Sequence, residues 1–565
     1  MLKSWKLFII GFVAIFVGAS LAHFIQTFGG TRVRDVRFVA SNGVVMSALL
    51  YQPANATAKT PAPGILAVHG YINSRETQDG FAIEFARRGY VVLALDQRGH
   101  GYSDGPAFAD GFGGPAGLAY LRGLDIVDKD NIGLEGHSMG GWTVLAAAIT
   151  SPNDYKSMVL AGSSVGKPFA AEGSPSWPRN IALIEGQYDE FSKLMWDVDK
   201  AADVGQSPKL QALFGTDKPV EVGKLYGTMA AGDARLLYQP AISHTGEHFT
   251  NVSIGDAIDW FAQTLKGGAE LPASDQIWYW KELGTLISLV GFVVFLLGAF
   301  EVTLTLPAFA SLAHDPTPAR LERGRGWWIA FVLAALLPAI TYFPLAAVGY
   351  AELTPSSFMP QHITNCIVLW ALGTAAITLI LSLFTGGRGA KFDNDWLKSL
   401  GAAVLTVFVG YGILALVQAA YLVDFRFYLV GLKLMSAAQM KIFAIYLIPL
   451  TLFCLVAMRS VHASLGVAGA GAVAQYATNI LAFVGGFALM IACIYAMLFL
   501  SGHLPSADIA LFAIVGIQFI PILTILAIIS TFAYRRTNSY APGAFVSALF
   551  VTWYIVAGQA TQALI

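Results

Sequence analysis

The sequence predicts an α/β domain with a mostly parallel, eight-stranded sheet, followed by an all-α transmembrane domain, with about nine spans in total. Three observations predict it. First, only 13% of the 565 residues are charged and 55% are hydrophobic, where a soluble globular chain carries about 25% charged residues. Second, residues 30–275 stand apart from that average, with mixed charge and short apolar runs alternating with amphipathic ones. That alternation is the pattern of a sheet covered by helices on both faces. Third, the flanking sequence holds apolar runs of about 20 residues, enough to cross a bilayer. The organisation read from this is an N-terminal transmembrane anchor at 1–30, an α/β domain at 31–268, a linker at 269–282, and a membrane domain of about eight spans at 283–565.

In chain order, the first apolar run covers about 7–27. Small residues in "GASLA" would suit a cleaved signal peptide, but the run is longer than a usual signal core, so a retained anchor is expected. The runs "RVRDVRFVAS" and "VVMSALLYQP" are strands joined by Asn42-Gly43, a hairpin signal that supplies an antiparallel edge. "APGILAVHG" and "YVVLALD" are buried strands, with the helix "DGFAIEFARRG" between them and Gly89 as its stop. A helix "GGPAGLAYLRGL", a strand "NIGLEGHS" and a helix "GGWTVLAAAIT" follow. "YKSMVLAGS", "NIALIEG" and "ARLLYQP" are further strands, and "GDAIDWFAQTL" is a closing amphipathic helix.

Eight more apolar runs lie near 283–306, 327–349, 363–384, 399–423, 442–458, 476–500, 509–533 and 543–562. Lys3 and Lys6 precede the first span, which by the positive-inside rule puts the N-terminus in the cytoplasm and the α/β domain outside. Alternate loops agree. Those expected inside carry Arg320, Arg323, Arg325, Arg388, Lys391, Lys398, Arg459, Arg535 and Arg536, and those at 351–361 and 501–508 carry no Lys or Arg. The exception is 424–441, "DFRFYLVGLKLMSAAQMK", with Arg426, Lys433 and Lys441. Its mixture of aromatic and basic residues suits a headgroup-layer anchor, or a contact with the α/β domain or an anionic headgroup. The spans hold few ionisable groups; Glu301, Asn365 and Asn479 are the notable polar ones, which argues against a proton-coupled transporter.

A net charge of −1 provides no basic face for nucleic acid. Cys366, Cys454 and Cys493 all lie in apolar runs and imply no disulfide framework. No metal cluster, phosphate-binding glycine loop or nucleotide motif is evident, so neither metal nor cofactor is expected. The expected partners are the lipid bilayer and a small-molecule or lipid ester.

Ser138 sits in "GLEGHSMGG", a Gly-x-Ser-x-Gly. With 57 glycines in the chain, such a motif arises by chance with a probability on the order of 0.3, so context must decide. The context is a strand, a tight turn at the serine and a helix starting at once, with Gly136 and Gly140 leaving room where side chains would clash. An oxyanion hole needs two backbone N–H groups. Met139, after the serine, supplies one, and Tyr71 of "HGY", in the loop after the third strand, is assigned the other; His69 holds that loop. "NIALIEGQYDE" places Asp189 just past a later strand, with Glu190 expected in solvent. His244 and His248 compete for the base. His244 is preferred because it hangs directly off the last strand, and His248 is left as a surface-loop histidine.

On these pieces, "VHGY", "ALDQRGHGYSDG", "GLEGHSMGG", "EGQYDE" and the histidine loop, in that order, residues 33–265 resemble the α/β-hydrolase superfamily, especially its lidless serine esterase and serine-peptidase-like branches. The resemblance implies a Ser138–Asp189–His244 triad, with the serine attacking, the histidine carrying the proton and the aspartate fixing the imidazole. It also implies a structural role for the "DQRGHGYSDG" loop and none in catalysis for His100. Only about 16 residues separate "VLAGSS" from "NIALIEG", too few for a cap domain; segments after Asp189, including Phe191, Leu194, Met195 and Trp196, are available as an apolar wall. The expected activity is a membrane-anchored serine hydrolase acting on ester, lipid or acyl substrates. The same triad would serve a peptidase or an acyltransferase, and a different class is a transport or sensor protein with a non-catalytic hydrolase-like domain.

Overall fold

The structure is a computed structural model that describes residues 5–315, 322–384 and 395–564. Lys3, Arg320, Arg388 and Lys391, used above for orientation, lie outside the described residues.

The α/β domain is built on eight strands: β1 (Arg32–Val39), β2 (Val45–Gln52), β3 (Ala62–Val68), β4 (Val91–Asp96), β5 (Val127–His137), β6 (Ser157–Ala161), β7 (Ile181–Ile184) and β8 (Arg235–Tyr238). Their order across the sheet is β1-β2-β4-β3-β5-β6-β7-β8. β1 and β2 form the hairpin foreseen at Asn42-Gly43, β2 runs antiparallel to β4, and all other pairs are parallel. Every residue of β3 and β4 is buried, as helices on both faces require. After β3 the chain crosses to β4 on one side and returns to β5 on the other. A crevice opens at the carboxyl ends of strands where the order reverses in this way, so the topology gathers the segments after β3 and β5 at one edge.

One helix, α1 (Lys6–Gln26), precedes the sheet. Helices α2 (Asp79–Arg87), α3 (Gly114–Arg122), α4 (Met139–Thr150) and α7 (Asn251–Thr264) cover its faces, and two short helices, α5 (Ser192–Trp196) and α6 (Pro208–Phe214), lie between β7 and β8. The C-terminal half holds α8 (Trp278–Thr303), α9 (Arg325–Glu352), α10 (His362–Phe384), α11 (Trp396–Tyr421), α12 (Ala437–Ser464), α13 (Ala472–Ser501), α14 (Ala510–Thr537) and α15 (Ala541–Gly558). Among the described residues nine helices, α1 and these eight, are long and apolar enough to cross a membrane.

Helices α1 and α8 pack along their length because glycines line both faces. A Cβ on Gly11 would meet Phe295 N at 2.3 Å, one on Gly18 would meet Gly284 O at 2.4 Å, and one on Gly298 would meet Phe8 N at 2.1 Å. Small residues let backbones approach where lipid offers no hydrophobic drive, and Ser288 Oγ donates to Ile15 O across the seam at 3.0 Å. The polar residues flagged in the spans are paired: Glu301 with Arg536 at 3.0 Å, Asn365 accepting from Tyr446, and Asn479 donating to Thr531.

The two halves meet over a broad polar seam. Lys281 of α8 bridges Asp79 of α2 and Gln26 of α1, each at 2.6 Å. Between α11 and α12 the segment with the exceptional basic residues forms a small hairpin, β9 (Phe425–Phe427) and β10 (Val430–Leu432). Arg426 and Lys433 are buried there, Arg426 paired with Asp424 and with Glu76 of the α/β domain. These two basic residues thus serve the contact between the halves, while Lys441 is exposed. Beyond α15, Thr561 exchanges backbone hydrogen bonds with the loop after β4, its N–H donating to Gly99 O and its carbonyl accepting from Ala107 N, each at 2.8 Å.

Candidate active site

Ser138 directly follows β5 and caps α4 with φ +53° and ψ −123°. A side chain at positive φ is strained, and the surroundings enforce it. Ser138 N donates to Ala161 O at 2.8 Å, and Gly141 N returns to Ser138 O at 2.9 Å. A Cβ on Gly140 would stand 2.1 Å from Val68 O, and one on Gly136 would stand 2.3 Å from Gly140 O. The glycines therefore allow α4 to start against β3 with the serine at the apex. Met139 is the first residue of α4, so its N–H has no intrahelical acceptor and lies at the positive end of the helix dipole.

The loop after β3 brings Gly70 and Tyr71 beside the serine, lining the same cavity. Two buried histidines hold that loop. His69 accepts from Gln97 N at 3.1 Å and pairs with Gly70 O at 2.7 Å, and His100 accepts from Ile72 N at 3.3 Å. Burial above all lowers both imidazoles to about 3, which keeps them neutral acceptors. The Tyr71 hydroxyl accepts from Gln562 at 2.6 Å.

Asp189 and His244 follow β7 and β8, and His244 Nδ1 lies 2.7 Å from Asp189 Oδ2. Asp189 Oδ1 accepts from Phe191 N at 2.5 Å, which fixes the carboxylate plane. Burial disfavours charge on His244, but Asp189 and Glu190 outweigh it and raise the imidazole above its ordinary value. The His244 ring packs 4.8 Å from the ring of His137, the residue next to Ser138. Ser138, His244, Tyr71 and His248 line one cavity.

Two expectations need correction. Glu190, expected in solvent, is buried: it accepts from His244 N and from the Tyr495 hydroxyl of α13, each at 2.8 Å. Burial and then Asp189 push its carboxyl up to about 7. His248, expected in a surface loop, is 3% exposed, with Nδ1 at 3.4 Å from His137 Nε2. Burial, then His244 and Arg426, lower it to about 3. Both differ for one reason: helices and a hairpin from the C-terminal half cover this edge of the sheet, and a loop otherwise open to water is enclosed.

That cover replaces a cap. The cavity over Ser138 is lined on that side by Leu511, Ile514 and Gln518 of α14 and Leu429 of the hairpin. Tyr428 bonds Thr245, beside His244. From the foreseen wall, Phe191 lines the cavity with its ring 4.7 Å from that of His244, Met195 and Trp196 are buried, and Leu194 is exposed. Trp196 donates to Glu185 at 3.1 Å. Glu247, unremarked in the sequence, accepts from Gly186 N at 2.5 Å and stands 3.6 Å from His244 Nδ1. Burial, then Asp189 and Glu185, push it well above the usual carboxyl range. Only its position in the histidine loop marked Glu247; nothing local to Tyr495 or Tyr428 marked them.

Residues 63–192 match the family model described as the alpha/beta hydrolase fold. The chain contains an α/β-hydrolase domain. Relatives of that domain include the monoacylglycerol lipase of Mycolicibacterium smegmatis, 31% identical over 185 residues, covering 31% of this chain and 61% of that protein. The quorum-quenching protein AidA of Acinetobacter baumannii is 36% identical over 124 residues, covering 20% of this chain and 38% of that protein. A 2-hydroxy-6-oxononadienedioate/2-hydroxy-6-oxononatrienedioate hydrolase of Paraburkholderia xenovorans is 34% identical over 103 residues, covering 18% and 35%. The chain spans less than two thirds of each of these relatives.

Proposed function

We propose that the protein is a membrane-embedded serine hydrolase that cleaves carboxylic esters through an acyl-enzyme. Ser138 is the nucleophile, His244 the general base and then acid, and Asp189 the group that orients the imidazole. The Met139 and Tyr71 amides receive the oxyanion. The observation that carries this reading is the positive-φ serine at the strand–helix turn, facing one cavity with an imidazole bonded to a buried aspartate. The monoacylglycerol lipase relative supports ester chemistry. An apolar cavity wall from α14 supports a lipid or acylated substrate entering between the domains.

The hydrolase domain stands on the outer side of the membrane in this reading. Arg323, Arg325, Lys398, Arg459, Arg535 and Arg536 lie in or beside the loops opposite those that touch it, which is the positive-inside pattern. The test is a fluorophosphonate probe on the full chain in detergent. Wild type is expected to label at one serine and to release fatty acid from monoacylglycerol, with Ser138→Ala abolishing both. Labelling that survives Ser138→Ala overturns the assignment.

A further inference from the structure

A second cavity opens beside the first. The two share Ile72, Asn73, Leu429 and Gln518 as lining, so they adjoin across these four residues. Their characters differ. The wall over Ser138 includes Phe191, Leu511 and Ile514, whereas the second cavity holds Arg426, Lys433 and Gln559.

Lys433 is the unusual member. It is 3% exposed, and its ammonium has no hydrogen-bond acceptor. Its nearest carboxylate oxygen, Glu76 Oε2, is 3.8 Å away and is already claimed by the Ser74 hydroxyl at 2.6 Å. Glu76 is also shared with Arg75 at 3.2 Å and Arg426 at 3.6 Å. Arg426 is saturated by Asp424, and Arg75 by Asp35. Lys433 lies 4.8 Å from the Tyr102 ring centroid, which steadies the charge without accepting a proton. The buried Oε1 of Gln559 in the same cavity also has no donor. A buried ammonium left short of acceptors carries a desolvation cost that an anion repays.

Resting on the hydrolase reading, the geometry points to an anion subsite: Lys433 receives a phosphate or carboxylate on the alcohol portion of an amphiphilic ester whose acyl chain runs along Phe191, Leu511 and Ile514. The Gln559 carbonyl accepts a hydroxyl or a protonated oxygen of the same headgroup.

The experiment measures binding, so it does not depend on turnover. Full-length Ser138→Ala protein in non-ionic detergent is titrated with a 1-acylglycerol and with the 1-acylglycerol 3-phosphate of the same chain. The phosphate form is expected to bind about ten-fold tighter, the scale of one charge-assisted hydrogen bond. Adding Lys433→Gln is expected to bring the two within about two-fold, and Lys433→Arg to retain the preference, which separates charge from fold. Inorganic phosphate is expected to compete with the phosphate form only. Equal binding of the two ligands, or a preference untouched by Lys433→Gln, overturns the subsite. Charge-selective binding without hydrolysis of either ligand by wild type removes the hydrolase reading and leaves the subsite, whereas hydrolysis without selectivity does the reverse.

Discussion

Tyr495, in α13, donates a 2.8 Å hydrogen bond to Glu190, whose other oxygen holds the backbone of His244. The base of the proposed triad is thus positioned through a residue of the C-terminal helical half. This joins the two halves at the level of a proton.

The pH profile tests that link. His244 sits above its ordinary value of 6.5 because Asp189 and Glu190 outweigh burial. A raised value keeps the imidazole protonated, and so inactive as a base, to higher pH. The acid limb of kcat/KM is therefore expected above pH 6.5. Glu190→Gln removes one source of the raise and moves the limb to lower pH. Tyr495→Phe withdraws a bond that favours the Glu190 carboxylate, so the limb moves the same way by less. A limb unmoved by either change would break the link.

The two histidines separate by kinetics. His244→Gln is expected to cost about 10²–10⁴-fold in kcat, the worth of general acid–base catalysis. His248→Gln is expected to cost less than this range, because its burial-lowered imidazole meets His137 rather than a carboxylate. The reverse ranking, measured on one ester, would transfer the base to His248.

Breaking the seam between the halves is expected to destabilise. Arg426→Met leaves Asp424 and Glu76 buried with a partner missing, a loss of about 3–5 kcal/mol. A thiol-reactive dye reading Cys366 and Cys454, both buried, reports the fall in unfolding temperature. An unchanged temperature would mean that the pair contributes little.

The glycine seam of α1 and α8 is expected to be equally intolerant. Gly18→Leu drives a side chain into Gly284 O and Ser288, and overpacking of this kind costs about 1–3 kcal/mol. The same dye assay, with Gly412→Leu as control where a Cβ meets nothing within 4 Å, separates this from a general effect of bulk.

Much of this was legible in the sequence because it is written locally. Asn42-Gly43 specifies a hairpin, the continuous apolar runs of β3 and β4 specify a doubly covered sheet, and Gly136 and Gly140 specify a tight turn at Ser138. Each depends on neighbours within a few residues. Glu190 and His248 were misplaced because their burial is set by α13, α14 and a hairpin some 180 to 300 residues away, and no periodicity encodes that distance. The basic residues Arg426 and Lys433 were visible as an exception to a charge rule. What resolved the exception, Glu76, lay in the other half of the chain.

Gln562 reaches the hydroxyl of Tyr71 across 491 positions of chain. During synthesis the sheet domain emerges long before that partner is made. Until then the loop after β3 is held by His69 and His100. A fragment released early would carry Ser138 and its turn without the Gln562 bond, so on the proposed reading the site is finished only when the last helix is in place.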